Sequence, residues 1–120
     1  MFMFMILATV SIAQCRASWH NGISKFRAGN DAAINISLHD AYGNNIRTKI
    51  NASTLQFSLR VNGRKGESTY ISNIAILMNH GNISITFMPC LVGVFSLQVE
   101  NNGEEIRNSP LSFTVYPGKQ

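Results

Sequence analysis

The chain has 120 residues, 45% of them apolar and only 13% charged, with ten basic and six acidic side chains giving a net charge of +4. That is enough chain for one domain with one core. It is too apolar for a disordered segment and too diffusely basic for a nucleic-acid footprint, so no nucleic-acid partner is expected. Asn is abundant at 13 residues and Gly adds 9, which favours many short strands and turns over long helices.

Residues 1–13 carry no charged side chain. The stretch is shorter than the roughly 20 apolar residues that a transmembrane helix needs. Its length and its small-residue end, Ser11-Ile12-Ala13, fit a secretory signal peptide cleaved near Gln14. A buried first strand is the alternative reading. Residues 14–23 then read as a lead-in, 24–117 as the folded domain and 118–120 as a tail. A secretory start places the domain outside the cell or at its surface, with a cytoplasmic location as the alternative. In an oxidising compartment Cys15 and Cys90 are candidates for a disulfide. Closing so long a loop contributes about 4 kcal/mol in the chain-entropy view. Two unrelated thiols, one of them a small core residue, are the other reading.

From residue 32 onward the pattern is strand, turn, strand. Residues 32–39 alternate apolar and polar, and Asp40-Ala41-Tyr42-Gly43-Asn44-Asn45 is a turn cluster. Residues 55–61 alternate again and Asn62-Gly63-Arg64-Lys65-Gly66 breaks them. Residues 70–78 form a more continuous apolar run, ended by Asn79-His80-Gly81. Residues 83–87 and 94–100 alternate, with Met88-Pro89 between them, and Leu111, Phe113 and Val115 close the chain. Three N-glycosylation sequons occur, at Asn35, Asn51 and Asn82. Around Asn35 the apolar residues are Ile34, Ile36 and Leu38, and around Asn82 they are Ile83, Ile85 and Phe87. The acceptor side chains therefore face away from the core, as glycosylation requires. Short strands at regular spacing with no helical period predict an antiparallel β-sandwich.

Several features in order resemble one filamin-type immunoglobulin-like repeat: Ala28-Gly29, the turn Asp40-Ala41-Tyr42-Gly43-Asn44, and the passage Gly81, Ile83, Ile85, Phe87, Pro89, Gly93. Phe95, Leu97 and Val99, then Gly103, Ile106 and Ser109-Pro110, complete the match across about residues 24–117. Each motif has a local reason. Gly43 and Gly103 supply positive φ in tight turns. Asp40 accepts hydrogen bonds from the turn it opens. Pro110, with no N–H, suits the start of a final strand. Ile83 and Phe95 stand where the family usually has Tyr, which removes a hydroxyl lock, and Leu111 stands for the usual Phe. The resemblance implies an all-β, Greek-key, immunoglobulin-like sandwich of about seven strands. Joined to a secretory start, it is similar to the plant gamete-expressed membrane proteins, whose filamin-type ectodomain repeats are implied in gamete attachment at fertilisation.

No catalytic, metal-binding or cofactor-binding constellation is visible. His20, His39 and His80 are scattered, the carboxylates form no catalytic pair, and no phosphate loop is present. Asp40 with Asn44 and Asn45 offers one carboxylate, too few for calcium and enough for a turn cap. In filamin repeats an extended peptide adds between the third and fourth strands. That implies a site on residues 55–61 and 70–78, with Gln56, Ser58 and Arg60 outward on one and Ala75 and Leu77 outward on the other. The opposing reading is that a neighbouring repeat or loop covers Ala75 and Leu77. The expected function is non-catalytic protein recognition, with a partner on another cell or in neighbouring repeats of the same chain, and with any membrane attachment through a segment outside these residues. A structural spacer in a longer scaffold is the alternative.

Overall fold

A computed structural model describes residues 10–46, 55–79 and 82–118. The described residues form ten strands: β1 (Arg16–Trp19), β2 (Lys25–Arg27), β3 (Ala32–Ser37), β4 (Phe57–Gly63), β5 (Ser68–Tyr70), β6 (Ala75–Asn79), β7 (Asn82–Phe87), β8 (Gly93–Asn101), β9 (Glu104–Glu105) and β10 (Leu111–Tyr116). They make two packed sheets. One is four-stranded, in the order β1-β3-β7-β6; the other runs β2-β10-β8-β4-β5, with β9 on β8. The chain crosses repeatedly from one sheet to the other, giving the immunoglobulin-like sandwich that the alternation predicts. One pair departs from antiparallel: β2 runs parallel to β10. The extra strands, β1, β2, β5 and β9, are two to four residues long, too short to show a period in sequence.

Period-2 burial builds the core. In β3 the residues alternate buried and half-buried, and in β7 Ile83, Ile85 and Phe87 are buried while Asn82 is exposed. Cross-strand register sets Ala32 against Phe87, Ile34 against Ile85 and Ile36 against Ile83. Facing them from the other sheet are Phe57, Leu59, Leu97, Val99, Phe113 and Val115. An aromatic group closes one end of this core. The ring of Phe113 lies 5.4 Å from Trp19, 5.6 Å from Phe95, 6.1 Å from Phe87 and 6.4 Å from Phe26, centroid to centroid. The indole N–H of Trp19 donates to the Ser112 carbonyl at 3.1 Å, so the ring satisfies its one polar atom while its body is packed.

The N-terminal boundary expected from sequence is corrected by these contacts. Residues 14–23 are not a lead-in: β1 pairs with β3 along its whole length, and Cys15 and Ala17 are buried in the core. Upstream, Ile12–Gln14 form one 3-10 turn. Val10 and Ile12 pack against the core margin, and the Ser11 N–H donates to the His39 carbonyl at 2.8 Å. Cleavage near Gln14 would remove these contacts. At the other terminus Gly118 lies close against the Ala28 backbone.

Phe113 touches four other rings, so Phe113→Ala is expected to destabilise the domain by about 3–5 kcal/mol. Tyr42, 90% exposed, is expected to tolerate Ala with a change of at most about 0.5 kcal/mol. Urea unfolding midpoints of the two variants check both.

Candidate functional site: the open edge of the four-stranded sheet

The apolar run at residues 70–78 is not one strand. β5 ends at Tyr70 and pairs with β4, whereas β6 begins at Ala75 and pairs with β7 in the other sheet. Residues 71–74 carry the chain across, with the Ile71 N–H donating to the Leu59 carbonyl at 2.9 Å. This separates the five side chains expected to form one binding surface. Phe57 and Leu59 point inward, so Gln56, Ser58 and Arg60 lie on the outer face of the larger sheet. Ala75 and Leu77 are paired with Thr86 and Ser84, on the outer face of the four-stranded sheet. The two sets are on opposite sides of the sandwich.

The β4 set is also engaged. The Gln56 N–H donates to Asn101 Oδ1 at 2.6 Å, and its carbonyl accepts from Asn102 N–H at 3.2 Å. Ser58 sits opposite Glu100. Arg60 stacks on the Tyr70 ring, 4.5 Å from its centroid, donates to the Tyr70 hydroxyl and pairs with Glu100 Oε1 at 3.7 Å. It fastens β5 over β4 and across to β8. Glu100 is 5% exposed, and its Oε1 has no hydrogen-bond partner among the described residues.

β6 is different. Its outward Leu77 is 62% exposed, and Ile76, on the inner parity, is still 46% exposed because it lies at the margin of the sandwich. The strand carries no charge, and among the described residues no strand pairs with its outer edge. Beyond β7 the apolar surface continues over residues 88–92, where Met88, Leu91 and Val92 are exposed. Beneath them is a pocket of about 260 Å³ lined by Val61, Tyr70, Ile71, Phe87, Leu91 and Phe95, among others. Sequence reasoning treated this segment as an interruption. The signal was there, since Met88-Pro89-Cys90-Leu91-Val92 is an apolar connection without a charge.

The turn motifs sit where the sequence places them. Asp40 Oδ1 accepts from the N–H groups of Tyr42 and Asn44, both at 2.9 Å, and Oδ2 accepts from Asn44 Nδ2 at 3.2 Å. Gly43 has φ 84°, a conformation that costs glycine little. His39 Nδ1 donates to the Gly43 carbonyl at 3.2 Å, which leaves Nε2 to accept from the Ser37 hydroxyl at 3.0 Å. The hydrogen bonds from the Asn44 backbone, with smaller ones from its side chain and from Tyr42, hold the Asp40 carboxyl below its ordinary value. Gly103 follows Asn102 in the positive-φ turn between β8 and β9. Ser109 Oγ accepts from Val99 N–H and donates to Glu105 Oε2, each at 2.8 Å. Pro110 directly precedes β10. The Pro89 carbonyl accepts from Gly29 N–H at 2.8 Å, and a side chain at Gly93 would meet the Phe95 ring at 3.2 Å. Gly81 and Asn51 lie outside the described residues.

Asn82 is exposed, as a glycan acceptor must be. Asn35 is half-buried, with Nδ2 donating to His20 Nδ1 and Oδ1 accepting from Ser84 Oγ, both at 3.1 Å. The candidate Cys15–Cys90 disulfide does not form, and both thiols are free. Cys15 adjoins the Arg16–Ser37 end of the four-stranded sheet, and Cys90 lies beyond Phe87 at its other end. The six residues of β3 lie between, about 20 Å at 3.3 Å per residue, against the 4.4–6.8 Å between Cα atoms that a disulfide spans. Burial pushes the Cys15 thiol above its ordinary value. Among the described residues no group of three or more His, Cys, Asp or Glu side chains could hold a metal ion.

Comparison with known proteins fits this geometry. Residues 13–115 match the family described as the GEX2 N-terminal Ig-like domain. The chain belongs to that family. Over 104 residues it is 33% identical to Protein GAMETE EXPRESSED 2 of Arabidopsis thaliana, covering 84% of this chain and 11% of that protein. Among solved structures, the Lin-41 filamin domain superposes with a TM-score of 0.65 at 17% identity, over 91% of this chain and 98% of that one. FdeC, an Escherichia coli adhesin, superposes with a TM-score of 0.63 at 20% identity, over 92% of this chain and 33% of that one. These structural likenesses establish the filamin-like, immunoglobulin-like fold. The family match begins at residue 13, which agrees with the place of β1 inside the sandwich.

Two outcomes follow. Because the Asp40 carboxyl is held below 3.8 in the folded state, its contribution to stability is full above that pH and is lost as the pH falls through the lowered value. The difference in thermal midpoint between wild type and Asp40→Asn is therefore expected to be constant from pH 7 to 5 and to shrink below about pH 3.8. For the cysteines, iodoacetamide is expected to modify Cys90 in the native chain and Cys15 only after unfolding, since only an accessible thiolate reacts. Mass spectrometry of the modified peptides reads the result.

Proposed function

We propose that this domain is an extracellular, non-catalytic recognition module of a gamete-surface protein and that it binds by accepting an added strand along β6. The observation that carries the reading is an uncharged edge strand with half-exposed apolar side chains on both of its faces. Edges are ordinarily guarded by charge, proline or a covering element. An open one offers backbone hydrogen bonds for affinity and flanking side chains for specificity. Membership of the GEX2 family and the name of the Arabidopsis relative support a role between gametes. The E. coli adhesin among the structural neighbours has the same fold. The chain spans 11% of the length of the Arabidopsis relative, so this module would act beside others, and tethered modules gain avidity through effective concentration.

A spacer reading has its own observation. The exposed loop at residues 88–92, with Leu91 75% exposed, is an apolar surface that a neighbouring domain would cover.

Binding of the fluorescently labelled 120-residue chain to isolated gametes separates the two. Leu77→Asp is expected to lower binding at least tenfold, a loss of about 1.4 kcal/mol, with unchanged far-UV circular dichroism. Ser58→Ala on the opposite sheet is expected to leave it unaltered. Equal binding by Leu77→Asp and wild type would remove β6 from the recognition surface. If neither binds, the spacer reading stands.

A further inference from the structure

We propose that the strand added to β6 is β6 of a second copy of this chain, paired antiparallel about a two-fold axis at Leu77. The inference rests on the strand-addition reading above and names its partner.

Backbone direction comes first. In an antiparallel ladder the N–H and C=O of one residue point to the same side, and successive residues alternate. The Ala17 N–H donates away from β3, to the Arg107 carbonyl at 3.3 Å. Its opposite residue Ile36 therefore turns its polar groups toward β7, as does Ile34. Ile83 and Ile85 turn theirs toward β3, and Ser84 and Thr86 toward β6. It follows that Leu77 and Ala75 bond to β7, while Ile76 and Met78 present N–H and C=O to the open edge.

Those two residues are spaced for self-pairing. With Leu77 on the axis, Ile76 of one copy stands opposite Met78 of its partner, and Met78 opposite Ile76. Each such pair exchanges two hydrogen bonds, four in all. The two Leu77 residues then face each other as a close, non-hydrogen-bonded pair on the outer face, where each is 62% exposed in the single copy. Two four-stranded sheets become one of eight strands.

Charge selects this edge over the others. β3, β6 and β7 contain no charged residue, whereas the outer face of the larger sheet carries Lys25, Arg27, Arg60 and Glu100. The β2 edge is lined by Lys25 and Arg27. The β1 edge has Arg16 and is partly taken by Arg107. β5 has only three residues and follows Arg64 and Lys65. Two copies that each carry +4 meet at β6 without opposing like charges. The pairing is also edge to edge, so a glycan on Asn82, on the outer face, does not stand between the copies.

Sedimentation velocity on the full 120-residue chain tests this. Wild type is expected to shift with concentration from 13.3 kDa to twice that mass. Leu77→Asp and Leu77→Lys are each expected to stay monomeric, and an equimolar mixture to recover the dimer, because opposite charges then face across the axis. Ile76→Pro deletes an outward N–H without touching a bond to β7, and is expected to abolish the dimer with circular dichroism unchanged. A wild-type chain monomeric up to about 1 mM, or a charge-swapped mixture that stays monomeric, overturns the proposal. If wild type is monomeric while Leu77→Asp loses gamete binding, the second-copy inference falls and the strand-addition reading stands. If Leu77→Asp loses the dimer but keeps gamete binding, the pairing stands and the gamete reading falls.

Discussion

The register between β3 and β7 governs the four-stranded sheet. Ile34 opposite Ile85 and Ile36 opposite Ile83 put four branched apolar side chains on the inner face. Side chains alternate strictly along a strand, so a slip of one residue in either strand would carry its two isoleucines into water and bring Asn35 or Ser84 into the core. Burying each isoleucine contributes roughly 1.5–3 kcal/mol, while an unpaired polar group in the interior costs about 1–3 kcal/mol. The two terms act together, and the register has no near competitor. The same register fixes what β6 shows to solvent, because β6 takes its phase from β7.

The outer faces of the two sheets are chemically distinct. The larger sheet is a charged surface crossed by the contact of Arg60 with Tyr70 and Glu100, which ties three strands together. The four-stranded sheet has a polar face of Asn, Ser and Thr with Arg16 at its β1 edge, Asn35 held between His20 and Ser84, and an apolar margin at β6. Among the described residues the other sheet edges are short or charged, and β6 is open. Charge and short length suppress promiscuous pairing at those other edges.

Much of this was legible in the sequence. Alternation at residues 32–39, 55–61, 83–87 and 94–100 located four strands, and the Asp40 turn was readable because Asp, Gly and Asn each have a distinct local role there. The outward parity of Ala75 and Leu77 was legible as well. The division of residues 70–78 into β5 and β6 was not. A run apolar on both parities looks the same whether it is one buried strand or two short ones joined by a crossing, and only the pairing partners distinguish them. That ambiguity placed Gln56, Ser58 and Arg60 on the same surface as Leu77. β1 was missed for a related reason: Arg16-Ala17-Ser18-Trp19 buries one small side chain, too little to mark a strand in sequence. The cysteines looked pairable because separation along the chain says nothing of the strand length lying between them.

The parallel contact between β2 and β10 has a mechanical meaning. Val10 lies near the His39 end of the sandwich, while β10 runs toward Gly93 and the chain continues to Gly118 beside Ala28 at the far end. A pull on these two points runs along the strands. β10 is held by β8 on one flank and β2 on the other, so both rows of bonds are loaded in shear and resist as a block, whereas a hairpin peeled from its tip yields one bond at a time. The domain thus resists a pull along its strands better than one that peels them apart.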